Sequence, residues 1–461
     1  MKKRSLRSLC ALSALACFVS VILAGCGKSY YFAGRALPPS GILNRVLIAV
    51  QNPGPLTKGS LQIVDAYYDI RHSFNNKVAS FSMAGYAGAD PETIQNMPEE
   101  QAGAVYGSGD GSFALLDYAT EKQTTTVTLP GASSSVFISR DQRYVFAANQ
   151  TAHVLTVQDR TLGTSYSLNL PNVFRVSINP SGSAALVFVQ NSNAIYRILK
   201  LQANQQVPSN AEDCEPQNLP VYCILPVAGT FDQPTKAVFS ADGTTAYILN
   251  CGPECGGTQA SVSFLPVAGI IIQSGAPVPP GSPTAVTATV PIPGGTTDAL
   301  ENGNLLYLAG QQLQPDGYFA GFLSILDTNA KQVTGAYSIS DGTHLKMVFG
   351  DDNTLWVGSQ LCTQGERYHQ SQNGATVALG CLTMFNTSTN SVTEVDSYKG
   401  DATGAAAVIS LHKVYTAEGG QVYIYSTSDG SALDNSQVTV VGTAYDVAYM
   451  DAPSDDDNTT Y

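Results

Sequence analysis

Charge is scarce in this chain: Asp, Glu, Lys and Arg together make up 13% of its residues. Acidic residues outnumber basic ones 36 to 23, so the surface repels phosphate backbones, which counts against nucleic acid as a partner. The five histidines stand at 72, 153, 344, 369 and 412 and form no HExxH pair or other metal-ligand spacing. A GxSxG elbow is missing, and so is the EF-hand pattern. Gly107-Ser-Gly-Asp-Gly-Ser112 is rich in glycine but lacks the lysine of a phosphate-binding loop and precedes no helical pattern, so it reads as a turn. Tryptophan occurs once, at Trp356. No long apolar pattern of helical period follows residue 25, which removes one large α/β unit from consideration. The sequence offers no catalytic set, and no cofactor is expected from it.

What is present begins with an address. Lys2, Lys3, Arg4 and Arg7 precede an apolar run, Leu9 to Ala24, that is short for a membrane span and ends in small residues, as a secretory signal does. Leu23-Ala24-Gly25-Cys26 resembles the lipobox of bacterial lipoproteins. That resemblance implies acylation at Cys26 (palmitate among the lipids), which anchors the protein through its N-terminal lipid alone. Gly27 gives no inner-membrane retention signal, so the expected home is the cell envelope, at the outer membrane. Residues 1–25 are then a signal peptide and 26–43 a tether. Loss of the four basic residues takes the net charge from −13 to −17. Cys10 and Cys17 leave with the signal, and six cysteines remain beside Cys26. Nearness in sequence suggests the disulfides Cys214–Cys223, Cys251–Cys255 and Cys362–Cys381, in keeping with an exported protein. The rival reading, a metal site, lacks neighbouring histidines.

A repeat fills most of the rest. Val238-Phe-Ser-Ala-Asp-Gly-Thr-Thr-Ala-Tyr-Ile-Leu-Asn250 sets two apolar runs around Asp-Gly, a pair that suits a tight hairpin. Val136–Asn149 and Val176–Val189 are further copies; Asp298–Ala309, Met347–Val357 and Val408–Thr416 are weaker ones. These runs are strands A and B. A third run, strand C, comes next and closes near an Asp or Asn that can start the turn into strand D, as in Phe322-Leu-Ser-Ile-Leu-Asp-Thr-Asn329. Leu129-Pro130, Leu170-Pro171, Leu225-Pro226 and Ile292-Pro293 close several D strands, and proline suits an outermost strand. A four-stranded antiparallel unit repeating at this spacing predicts an all-β β-propeller. The residues resemble the YVTN-type repeat of WD40-like and quinoprotein-like propellers, from about Arg45 to Met450.

B–C pairs begin near Val46, Ala104, Tyr144, Ala184, Thr245, Leu305, Thr354 and Lys413, which predicts eight blades, with seven as the alternative count. The chain enters on a B strand and ends on the A-like run Ala444–Met450, so the last segment is expected to close the ring of a propeller spanning 44–450. The acidic tail, 451–461, has no apolar pattern and is expected to be disordered. Residues just ahead of the A strands, Arg175, Lys236, Asp298, His344, Asp401 and Asp446, are expected at the mouth of the central channel. The long B–C segment from Cys362 to Cys381, with Arg367, Tyr368 and His369, adds a candidate binding loop on the same face.

The leading expectation is a non-catalytic binding or scaffold module for an envelope protein, peptide or glycan. The alternative, suggested by related lactone hydrolases, is an enzyme with an axial divalent metal held by Asp298, Asp401 and Asp446. Quinone-dependent dehydrogenases carry repeated Trp-docking motifs, which a chain with one tryptophan does not match. The same lack separates it from the Trp-bearing propeller lipoprotein of outer-membrane assembly.

Overall fold

In the computed structural model, the described residues are 36–52, 58–71, 81–202, 205–216, 220–273, 286–364, 370, 373, 380–395 and 399–453. The chain divides into Met1–Leu37 and Pro38–Tyr461, and every strand among the described residues belongs to the second unit. Cys26, Arg367, Tyr368, His369 and residues 454–461 lie outside the described residues.

The second unit is an eight-bladed β-propeller. Blade one starts with β1 (Arg45–Gln51) and β2 (Ser60–Asp65). Blade two is β3 (Pro91–Met97), β4 (Ala102–Gly107), β5 (Ser112–Asp117) and β6 (Lys122–Thr128). Blade three is β7 (Ser135–Ile138), β8 (Tyr144–Asn149), β9 (Val154–Asp159) and β10 (Thr164–Asn169). Blade four has five strands, β11 (Val173–Ile178), β12 (Ala185–Val189), β13 (Ile195–Leu201), the outermost β14 (Asp213–Glu215) and β15 (Val221–Pro226). Blade five is β16 (Pro234–Phe239), β17 (Thr245–Asn250), β18 (Ser261–Pro266) and β19 (Ala288–Pro291). Blade six is β20 (Gly295–Asn302), β21 (Leu305–Leu313), β22 (Phe319–Asp327) and β23 (Gln332–Ser338). Blade seven is β24 (Thr343–Phe349), β25 (Thr354–Gln360), β26 (Leu382–Asn386) and β27 (Ser391–Glu394). Blade eight is β28 (Ala402–Val408), β29 (Lys413–Glu418), β30 (Gln421–Ser426) and β31 (Ala432–Val438). The last strand, β32 (Thr443–Tyr449), crosses back and pairs antiparallel with β1 as the inner strand of blade one.

The turns form for local reasons. Asp242 accepts hydrogen bonds from Ser240 Oγ at 2.6 Å and Thr244 N at 3.0 Å, while Gly243 takes φ 69°, so the A–B hairpin of blade five is fixed by three consecutive positions. Asp141 does the same with Ser139 and Arg143 in blade three, and in blade four Asn179 accepts from Ala184 N and donates Nδ2 to Ser181 Oγ. At the C–D turns, Asp65, Asp117, Asp159, Asp327 and Asn386 each accept the backbone N–H two residues on, at 2.8–3.1 Å.

Packing follows from the alternation of side chains along each strand. In β1, Val46, Ile48 and Val50 face blade eight, while Leu47 and Ala49 face blade two. Middle strands are therefore apolar on both faces, and Arg45-Val-Leu-Ile-Ala-Val50 is buried throughout. Eight apolar clusters result, one between each pair of neighbouring blades around the whole ring. Outer strands alternate instead: β23 shows every second residue exposed.

The seam carries its own ion network. Arg45 donates to Asp451 through Nε at 3.0 Å and Nη2 at 2.7 Å, and through Nη1 to Glu121 Oε1 at 3.0 Å and Tyr118 O at 2.6 Å. Ser40 also binds Glu121, and Ile42 is buried against blades one and two. Buried charges persist only where each has partners, and here a strand of blade one, a turn of blade two and the second residue after β32 supply them.

Candidate functional site at the channel mouth

The inner strands share one irregularity. In seven of them the register with the neighbouring B strand slips by a residue near the entrance, at Glu92, Phe174, Thr235, Thr297, Leu345, Thr403 and Tyr445. Such a bulge re-aims the next side chain. The residues that come after it are Thr93, Arg175, Lys236, Asp298, Lys346, Gly404 and Asp446, joined by Ser135 in blade three. They form a ring of aligned positions around the axis. Many of these residues, with the bulged ones, line a cavity of about 280 Å³ at the mouth.

Most charge in this ring is paired. Lys236 Nζ binds Asp298 of the next blade. Lys346 Nζ lies 3.0 Å from Asp446, two blades on, across the position where blade eight carries glycine. A Cβ at Gly404 would lie 2.7 Å from both Cα and Oδ1 of Asp446, so only glycine lets the aspartate sit there. Asp446 also accepts N–H bonds from Ile94 at 2.8 Å and Val447 at 2.9 Å. Burial pushes its carboxyl up, and Lys346 and these N–H groups pull it back.

Arg175 is different. Among the described residues its one hydrogen bond is Nη1 to Thr235 O at 3.5 Å; its guanidinium lies 5.7 Å from the Phe174 ring, and the field of Asp298 reaches it without a direct contact. No carboxylate pairs with it among the described residues. Nearby, Thr93, Gln360 and Tyr445 line the cavity with no side-chain hydrogen bond among the described residues. Glu92 also lines it; burial raises its carboxyl, and the bond from Ser108 Oγ at 2.5 Å works against the rise.

Of the six residues expected at the mouth, Arg175, Lys236, Asp298 and Asp446 come together in the ring. His344 and Asp401 do not. His344 lies two positions ahead of the ring residue Lys346 and is fully buried, with Nε2 2.8 Å from Ser340 O and Nδ1 without a partner among the described residues. Asp401 sits just ahead of blade eight's inner strand, where it accepts the Leu361 N–H at 2.9 Å. Lys346, Glu92, Gln360 and Tyr445 escaped the sequence reading. An offset of two residues, set by the bulge, would have found Lys346; Gln360 belongs to a B strand and carries no such signal.

Above the mouth, blades five and six are built up, and blade seven carries a disulfide at the same end. Blade five has Cys251 bonded to Cys255 around the turn Gly252–Cys255, with Glu254 accepting Leu313 N at 3.3 Å. Blade six extends β21 and β22 into a long hairpin ending in the exposed Leu313, Tyr318 and Phe319. Blade seven has Cys362 bonded to Cys381, their Cα atoms 5.5 Å apart and both residues buried at the base of the long segment. Cys214–Cys223 bridges β14 and β15 at the outer edge of blade four.

An axial metal does not fit these residues. Asp298 and Asp446 each accept a lysine ammonium where a cation would bind, and Asp401 is turned to the Leu361 backbone.

No protein-family model matches the chain, and no curated protein matches it. Solved structures do. The chain is similar to the dihydro-heme d1 dehydrogenase NirN in complex with DHE, with a TM-score of 0.56 at 12% identity over 89% of this chain and 76% of that one. Kuenenia stuttgartiensis hydrazine synthase gives 0.47 at 12%, over 76% and 99% of the two chains. The β-propeller domain of Myceliophteria_thermophila Cps50 (Swd1) gives 0.47 at 11%, over 74% and 98%. At such identities the likeness carries the fold alone.

Proposed function

We propose that the protein is a lipid-anchored propeller of the bacterial cell envelope, a member of the YVTN-repeat type, that binds a partner at its channel mouth without catalysing a reaction. One observation carries this reading. The axial carboxylates Asp298 and Asp446 are each neutralised by lysine, while Arg175, Gln360 and Tyr445 line the cavity with polar groups whose donors are largely unused among the described residues. The lysines thus occupy Asp298 and Asp446, and Arg175, Gln360 and Tyr445 supply groups suited to recognition. The raised segments of blades five and six extend that face toward a protein, peptide or glycan.

A photo-reactive side chain at Gln360 in the full-length protein tests the placement. Envelope adducts should form from there and not from Thr244, which lies in a hairpin turn at the opposite end of the blades; the reverse pattern would overturn it. Anchoring is checked separately. Palmitate labelling and membrane retention should both disappear in Cys26→Ala, and retention of either would contradict the lipid anchor.

A further inference from the structure

The geometry points to a carboxylate-binding site in the axial cavity, with the Arg175 guanidinium as its anchor. This deepens the reading of the mouth as a binding face and rests on it.

Arg175 is the cavity's single cation without a carboxylate among the described residues, because Lys236 and Lys346 already hold Asp298 and Asp446. One weak bond to Thr235 O at 3.5 Å uses little of a five-donor fork. A half-buried arginine facing a cavity with its donors unused is costly unless something accepts from them. The planar fork matches a planar carboxylate in two parallel bonds.

Charge count separates a carboxylate from a phosphate. Beyond the two ion pairs, the cavity wall carries one positive group, Arg175, and one acidic group, Glu92. That wall is neutral overall, so a singly charged anion on Arg175 leaves one net negative charge, whereas a dianion leaves two and meets more repulsion from Glu92, Asp298 and Asp446. The remaining wall suits the body of the ligand. Phe137 and Leu345, both partly exposed, give apolar contact, and Tyr445 and Gln360 offer further hydrogen bonds. At about 280 Å³ the space holds one residue or one sugar ring. Its occupant is therefore a sugar acid or the C-terminal residue of a peptide, which share the same anionic group.

The test is an NMR titration of the full-length protein with four probes: glucuronate, its methyl ester, trialanine, and trialanine amide. At least one acid should bind, and its neutral counterpart should bind at least tenfold more weakly. The acid that binds tells the two sources apart. Arg175→Gln should weaken the acid at least tenfold, and Arg175→Lys should restore only part of the loss, since the charge returns without the fork. Inorganic phosphate should bind more weakly than the better acid. Equal binding of acid and neutral form, full binding to Arg175→Gln, tighter binding of phosphate, or no binding by any probe would each overturn the assignment. Crosslinking at Gln360 distinguishes the deeper failure: adducts that persist in Arg175→Gln leave the binding face intact while removing the carboxylate site.

Discussion

His344 shows how one side chain records its surroundings. Its Nε2–H donates to Ser340 O, which leaves Nδ1 as the protonation site, and Nδ1 has no partner in a fully buried position among the described residues. Burial therefore pulls the imidazole down to about 4, with the Ser340 bond and the field of Asp298 opposing. A depressed folded value means that the unfolded chain binds the proton first. Stability from this residue is complete above the unfolded value near ~6.5 and is lost as pH falls toward 4, at about 1.4 kcal/mol per unit. Urea unfolding from pH 7 to 4 should show that slope, and His344→Gln should flatten it relative to the parent. An unchanged slope in the variant would mean that the histidine is solvated. Its expected place at the mouth fails for a physical reason: the bulge at Leu345 separates it from the position that faces the axis.

At the scale of the strand, the repeat was legible because each turn is made by its own residues. Predicted B strands at Tyr144, Thr245, Leu305, Thr354 and Lys413 start on the same residues in the structure. Those near Val46, Ala104 and Ala184 begin within two residues. What could not be read was the bulge, because it depends on how an inner strand meets its neighbours around the axis. The pairing of Lys346 with Asp446 likewise skips a blade and leaves no mark of local spacing. Gly404 is the element that permits it, and Gly404→Ala should strain the inner strand by roughly 1–3 kcal/mol and displace Asp446. Thermal unfolding would register the loss. A variant as stable as the parent would show that blade eight yields without cost.

Across the whole molecule, stability is shared among eight inter-blade cores, so no blade is complete without two neighbours. The ends of the repeat region meet this demand by exchanging strands: β32 supplies the inner strand of the blade that β1 begins, and Arg45 holds Asp451 just beyond it. That offset was visible in the sequence as an entry on a B strand and an exit on an A-like run. The axial cavity exists only if the ring is shut, because its wall draws on blades one through eight. Amide hydrogen exchange over 443–449, compared with the inner strand 402–408, tests closure most directly. The closed ring predicts that both segments are protected to the same global limit. Exchange of 443–449 at the rate of a frayed terminus, with 402–408 still protected, would contradict it.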